Sequence, residues 1–227
     1  HSGAGSMTAS SPPQAGSPGS DGVVPEVRVS FWLLPSAADE QWLQEVVIDL
    51  ARRHGGPVFA PHVTLHSATC ARTTDMEALL RKLAAKCPAL NLEALGTAES
   101  DVYYRTLFID MSMGRLDGQR MLGLRRELVL ALHDAYQANV PRSEAASSAE
   151  ADQELEKALL SEGFRPHLSL LYADMAQPER AALAQQNDFR GRSIAFDRVA
   201  AVRPAPGYAD MSKVSHWEVF GHQTLSG

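Results

Sequence analysis

The sequence predicts an α+β fold of two pseudo-symmetric lobes, in which antiparallel sheets face each other and helices pack outside. Three observations lead to this prediction. Several short segments alternate apolar and polar residues with the period of two that half-buried strands require. Other segments space their apolar residues as amphipathic helices do. One His-x-hydroxyl pattern also occurs twice, about a hundred residues apart, each time in a strand-like segment next to helices.

The first half of the chain alternates strands and helices. We expect a strand over 27–33, a helix over 36–54, a strand over 62–68 and a helix over 74–87. The first strand alternates valine, phenylalanine and leucine with polar residues, and two glycines end the first helix. A threonine and a glutamate at capping-box spacing begin the second helix.

The second half continues with a hairpin and then mixed elements. The patterns predict strands over 91–98 and 102–110, a helix over 115–136, a short helix over 151–161, a strand over 164–172, a helix opened by Pro178, and strands over 193–203 and 214–221.

Two segments fall outside this pattern. Residues 1–25 contain Gly, Ser, Pro and Ala with few bulky apolar groups, so we expect a disordered tail that begins with a cloning scar. Residues 26–227 then form one bilobal domain. The polar segment 137–150 is expected to be a flexible insertion, and whether it covers a pocket is left open.

Composition limits the classes of partner. The chain has 227 residues, 44% of them hydrophobic, and a formal net charge of −6. An acidic balance argues against duplex nucleic acid, whereas a locally positive pocket still accepts a small anion. Without a long apolar run or an apolar segment after the N-terminus, we expect neither a membrane span nor a secretory signal. A monomer is the default expectation.

Cysteine usage favours the cytoplasm. The two cysteines, Cys70 and Cys87, are too few for a disulfide framework and lack the ligand spacing of a zinc site. A reducing cytosol is therefore expected. Whether these two thiols form one bridge is left open.

The repeated pattern is the strongest chemical signal. It reads His62-Val-Thr64 in the first copy and His167-Leu-Ser169 in the second, each time directly after a proline. Residues two apart in a strand share a face, so each copy presents one imidazole and one hydroxyl together. If the two strands face each other, two imidazoles and two hydroxyls converge on one site, which suits a phosphodiester.

Those four groups suffice for acid–base chemistry on phosphorus. Hydroxyls donate hydrogen bonds to phosphate oxygens, one neutral imidazole accepts a proton from water, and one imidazolium protonates the leaving oxygen. Because the pKa of imidazole is about 6.5, both protonation states exist near neutral pH. This scheme needs no cofactor and no metal.

The two motifs resemble those of the two-histidine (2H) phosphoesterase superfamily, in its cyclic nucleotide phosphodiesterase branch. The resemblance rests on the segments "FWLLP", "PVFAPHVTL", "YYRTLFI", "FRPHLSLLYAD" and "HWEVF", in this order. It implies an enzyme that opens a ring phosphate on ribose. The implied substrates are ADP-ribose 1″,2″-cyclic phosphate, a by-product of tRNA splicing, and nucleoside 2′,3′-cyclic phosphates.

The resemblance also implies residue roles. His62 and His167 become the catalytic pair, Thr64 and Ser169 the phosphate-binding hydroxyls, and Tyr172 a further phosphate-binding residue. We favour His167 as the base and His62 as the acid, although the symmetry of the site makes the reverse assignment chemically reasonable. In a regular strand Tyr172 would point away from His167. Its phosphate-binding role therefore requires a bulge in the strand or an indirect contact with the phosphate.

Several other residues are candidates for lining a nucleotide pocket, with ordinary packing as the alternative for each. They are Trp32, Phe59, Tyr104, Arg105 and Trp217. His66 shares a face with His62 in a regular strand, about 13 Å further along, which places it at a rim or in solvent rather than in a metal site.

Two other functions remain open at this stage. The first is a 2H enzyme that acts on RNA ends, such as a 2′–5′ RNA ligase-like protein or an RNA phosphodiesterase. The second is a nucleotide-binding module without turnover, although both histidines and both hydroxyls are intact.

Overall fold

The computed structural model describes residues 26–138, 148–160, 163–204 and 211–227. The tail predicted for residues 1–25 lies outside the described residues. Residues 139–147, which are most of the insertion predicted over 137–150, also lie outside the described residues. The helix before them ends at Gln137, and the next helix begins at Ser148.

Within these described ranges, seven strands and five helices follow in the predicted order. They are β1 (Glu26–Pro35), α1 (Ala37–His54), β2 (Val63–Ala71), α2 (Met76–Ala84), β3 (Leu90–Glu99), β4 (Leu107–Met111), α3 (Leu116–Gln137), α4 (Ser148–Leu160), β5 (His167–Leu171), α5 (Gln177–Gln186), β6 (Ser193–Arg203) and β7 (Glu218–Thr224). Two short 3-10 helices, Tyr103–Arg105 and Met211–His216, replace the starts of the strands that were predicted over 102–110 and 214–221.

The strands form two antiparallel halves that share β6. One half has the order β7-β6-β1-β2, and the other runs from the beginning of β6 through β3 and β4 to β5. The two halves meet again where β2 pairs with β5, so hydrogen bonding joins all seven strands into one sheet. The predicted α+β fold is confirmed, and its two lobes are joined by shared strand pairing.

Helices cover the outer faces of both halves. In α1, Leu43, Val47 and Leu50 are fully buried, as their spacing along the helix predicts. The helix packs on β1 and β5, whereas α3 packs on β2 and β3, and α5 on β3 and β4. The helices therefore fix the relative positions of β2 and β5, the two strands that carry the repeated motif.

The structure answers the question that the sequence left open about the two cysteines. Both cysteines are buried free thiols, so Cys70 and Cys87 do not pair. Burial raises the pKa of each thiol to about 11, which leaves them unreactive near neutral pH.

Among the helices within the described ranges, none is both long and apolar enough to cross a bilayer.

Candidate active site

The two motifs meet through one strand pair. Val63 of β2 pairs with Leu168 of β5 in antiparallel register, and both side chains are fully buried in the core. In this register the residues on either side of Val63 and Leu168 point to the opposite face. The four motif side chains therefore share that face, with His62 beside Ser169 and Thr64 beside His167. A single cavity is lined by all four.

Both histidines are held by the same kind of backbone hydrogen bond. Nδ1 of His62 lies 2.7 Å from the carbonyl oxygen of Ala60, and Nδ1 of His167 lies 2.8 Å from that of Arg165. A carbonyl oxygen only accepts, so Nδ1 carries the hydrogen in each ring. Nε2 is then the atom that gains or loses a proton, which leaves each ring ready to act as a base when neutral and as an acid when charged.

Burial favours the neutral form of both rings. Burial is the largest of the causes that together lower the pKa of His62 to about 4; the nearby His167 acts in the same direction, and the hydrogen bond to the Ala60 carbonyl opposes both. The pKa of His167 is also lowered, first by burial and then by the Arg105 and Arg165 charges, while the Arg165 carbonyl and the Asp110 carboxylate act in the opposite direction. His62 is 8% exposed and is the more enclosed of the two rings.

The low pKa of His62 predicts a loss of stability in acid. The unfolded chain takes up this proton near pH 6.5, but the folded protein does so only near pH 4. As the pH falls from 6.5 to 4, protons therefore favour unfolding, by about 3 kcal/mol for this one ring. Denaturant unfolding of wild type and His62→Gln at a series of pH values should show this difference in slope. Parallel curves for the two proteins would contradict it.

Ser169 connects β5 to the 3-10 helix at Tyr103–Arg105. Its Oγ donates a 3.1 Å hydrogen bond to the Tyr104 carbonyl oxygen, and its side chain also interacts with the Tyr172 hydroxyl. Next to this helix, the buried Thr106 hydroxyl lies 2.7 Å from the Ala173 carbonyl oxygen and accepts from the Ala173 N–H. These bonds fix the cavity wall that Tyr104 and Tyr172 form.

Tyr172 reaches the cavity because β5 ends one residue earlier, at Leu171. The alternation of a strand no longer applies there, and Tyr172 lines the cavity with 3% of its surface exposed. Its ring stacks on Phe59 at 4.2 Å between centroids. A Cβ on Gly56 would lie only 2.4 Å from the Tyr172 carbonyl oxygen, so this close approach requires glycine.

The cavity has a volume of about 420 Å³ and includes seven of the ten residues predicted from the sequence. These are His62, Thr64, Tyr104, His167, Ser169, Tyr172 and Trp217. The indole Nε1 of Trp217 is buried, and within the described part of the chain it has no hydrogen-bond partner. Such a donor is suited to an acceptor on a bound ligand.

Three predicted nucleotide-lining residues lie behind the wall instead. Trp32 is 3% exposed, and its ring stacks on His62 at 3.5 Å and 7°. Phe59 is buried against Tyr172, and Arg105 lies over the Phe108 ring at 5.5 Å. Contrary to the prediction, Trp32 and Phe59 therefore do not line the cavity, because both faces of β1 are buried and Phe59 packs in the core. Arg105 does not line the cavity, but it is close enough for its charge to lower the pKa of His167.

A register shift in β2 changes which of its side chains face the cavity. Phe31 pairs with His66 but Trp32 pairs with Thr64, so the pairing skips Leu65. Ser67 consequently lines the cavity, and His66 does not. The expectation that His66 shares the face of His62 was therefore wrong.

Four further lining residues were missed by sequence reasoning. They are Arg28, Ser30, Pro204 and Val214. Ser30 could have been found from the alternation of β1, since it precedes Trp32 by two positions and accepts a 2.9 Å hydrogen bond from its indole.

An antiparallel α+β fold with paired His-x-hydroxyl strands around one cavity defines the class of two-histidine phosphoesterases. The chain matches a family described as cyclic phosphodiesterase-like protein over residues 27–198. This protein belongs to that family, within the 2H phosphoesterase superfamily. Members of the family cleave phosphodiesters.

Two solved structures are similar to this chain, and the first of them supports the fold. The protein TT0787 of Thermus thermophilus is 17% identical, with a TM-score of 0.52, over 88% of this chain and 99% of that one. LigT of Escherichia coli in complex with NADP+ is 15% identical, with a TM-score of 0.49, over 89% of this chain and 100% of that one. At 17% identity, the similarity to TT0787 concerns the fold alone. A comparison with curated proteins found no match.

Proposed function

We propose that this protein hydrolyses cyclic phosphates on ribose without a metal ion. The substrates would be ADP-ribose 1″,2″-cyclic phosphate and nucleoside 2′,3′-cyclic phosphates, and the products a 1″-phosphate and a 2′-phosphate. Such an activity would remove a product of tRNA splicing in the cytoplasm. The observation that carries the proposal is the pairing of Val63 with Leu168, which gathers two imidazoles and two hydroxyls at one cavity.

The same four groups account for the bond changes. Water attacks phosphorus while one imidazole Nε2 accepts its proton, and the bond from phosphorus to one ring oxygen breaks. The second histidine, as imidazolium, gives its Nε2 proton to that oxygen. Thr64 and Ser169 donate hydrogen bonds to the non-bridging oxygens, which gain charge in the transition state. For this, Ser169 must turn its hydroxyl from the Tyr104 carbonyl to the phosphate.

The protonation of the free site favours His62 as the base. With a pKa of about 4, His62 is neutral at physiological pH and its Nε2 lone pair is available. The pKa of His167 is also lowered by burial, but the Arg165 carbonyl and the Asp110 carboxylate oppose this shift, so His167 is the better candidate for the acid. This proposal reverses the assignment that the sequence alone favoured.

A panel of cyclic phosphates followed by phosphorus NMR tests the proposed function. We expect ADP-ribose 1″,2″-cyclic phosphate and adenosine 2′,3′-cyclic phosphate to give 1″- and 2′-phosphate signals, with a rate that a chelator does not change. Faster turnover of an RNA oligonucleotide would favour an enzyme of RNA ends. Tight binding without any product would favour a binding module. A rate that falls with chelator would contradict the metal-free mechanism.

A further inference from the structure

A second cavity adjoins the catalytic one. It has a volume of about 650 Å³ and lies between the end of β2, α3 and α4. Arg28 and Ser67 line both cavities, so the two spaces meet at these residues. A ligand bound in the catalytic cavity can therefore extend past Arg28 into the second one.

The second cavity has the side chains of an anion-binding site. Its described lining contains three cationic side chains, two imidazoles and two small hydroxyls: Arg28, Arg125, Lys157, His66, His133, Ser67 and Thr69. No aspartate or glutamate is among the described residues that line it. This set of donors fits a phosphate, whose oxygens accept charge-assisted hydrogen bonds.

Arg125 gives this wall a fixed charge. The residue is 8% exposed, and its Nε donates a 3.0 Å hydrogen bond to the Leu65 carbonyl oxygen while Nη1 donates to that of Ala158. Its guanidinium also lies 4.5 Å from the centre of the Phe164 ring. The side chain is therefore held between β2 and α4 before any ligand arrives.

The charges of both arginines also act on His66. The pKa of His66 is lowered to about 4, first by burial and then by the charges of Arg125 and Arg28. Both arginines thus act at the same point of the cavity wall. A positive potential there attracts anions.

The two cavities are spaced along β2. Thr64 faces the first and Ser67 stands at the junction. They pair with Trp32 and Ser30, which are two residues apart in β1, so they lie about 7 Å apart along the strand. We propose that the second cavity binds a phosphate on the 5′ oxygen of the ribose whose cyclic phosphate occupies the catalytic cavity. The inference rests on the proposed function for the position of the cyclic phosphate. It makes 5′-phosphorylated nucleotides the preferred substrate class.

A binding comparison tests this site without requiring turnover. Calorimetry on the intact protein would measure Kd for adenosine 2′-monophosphate and for adenosine 2′,5′-bisphosphate, at one low ionic strength. We expect the bisphosphate to bind about tenfold more tightly, which corresponds to about 1.4 kcal/mol. Lys157→Ala should remove most of this advantage. Lys82→Ala, which changes an exposed lysine on α2, should retain it.

A further ligand distinguishes the two sources of a 5′ phosphate. An adenosine dinucleotide with a terminal 2′-phosphate carries the 5′ phosphate as a diester, as an RNA end does, whereas the bisphosphate carries a monoester. An advantage limited to the bisphosphate indicates small nucleotides, and an equal or larger advantage of the dinucleotide indicates RNA ends. Both results support the site.

Equal binding of the monophosphate and the bisphosphate by wild type would overturn the inference. So would a Lys157→Ala variant that keeps the full advantage, or a Lys82→Ala variant that loses it equally. If wild type does not hydrolyse adenosine 2′,3′-cyclic phosphate but the bisphosphate advantage depends on Lys157, the proposed function fails and the phosphate site stands. If it hydrolyses that compound without any bisphosphate advantage, only the inference fails.

Discussion

His62→Ala and His167→Ala should each lower kcat/KM for a ribose cyclic phosphate by about 10²- to 10⁴-fold. Each imidazole presents Nε2 to the same cavity, while its Nδ1 is held by a backbone carbonyl. In the proposed mechanism one histidine accepts the proton of water and the other protonates the leaving oxygen. Each alanine variant therefore lacks one of these two proton transfers. Initial rates from the phosphorus NMR or a coupled phosphate assay would measure the effect.

One control variant and a measurement of folding separate a loss of chemistry from a folding defect. His222→Ala changes an exposed histidine on β7 that lines neither cavity and should leave kcat/KM unchanged. Thr64→Ala and Ser169→Ala each remove one hydrogen bond to a charged oxygen and should cost a milder factor, about 10- to 100-fold. Circular dichroism should show the wild-type fold for all variants. A folded His62→Ala or His167→Ala protein with most of its turnover intact would refute the acid–base mechanism.

An activated diester should distinguish the base from the acid. p-Nitrophenolate leaves phosphorus without being protonated, so hydrolysis of bis(p-nitrophenyl) phosphate needs the base but not the acid. If His62 is the base, His167→Ala should keep this activity within about tenfold of wild type, whereas His62→Ala should remain inactive. The comparison uses the same two variants on two substrates, so a folding defect would lower both activities together.

The pH dependence gives the same assignment an independent test. A base must be neutral, so the His167→Ala rate on bis(p-nitrophenyl) phosphate should rise with pH through the pKa of His62, near 4, and stay level above it. With the cyclic substrate, wild-type kcat/KM should also fall again at higher pH as His167 loses its proton. Rescue of His62→Ala instead of His167→Ala would make His167 the base.

Local sequence patterns were sufficient for the order of elements. Period-two alternation and amphipathic spacing predicted twelve strands and helices that the structure contains in the same order. The repeated His-x-hydroxyl motif also predicted four side chains that line one cavity, because residues two apart in a strand share a face whatever the rest of the chain does. The boundaries of β4 and β7 were less accurate, since 3-10 helices precede both strands.

The features that could be read from the residues alone are therefore local: element types, their order, and the shared faces of His62 with Thr64 and of His167 with Ser169. Other features depended on long-range packing. It places β2 beside β5 in the Val63–Leu168 register. It also sets Trp32 behind His62 instead of against a ligand, and it brings Ser67 to the cavity in place of His66. Strand neighbours and register shifts depend on the packing of helices and strands distant in the chain, and a local pattern carries no information about that packing.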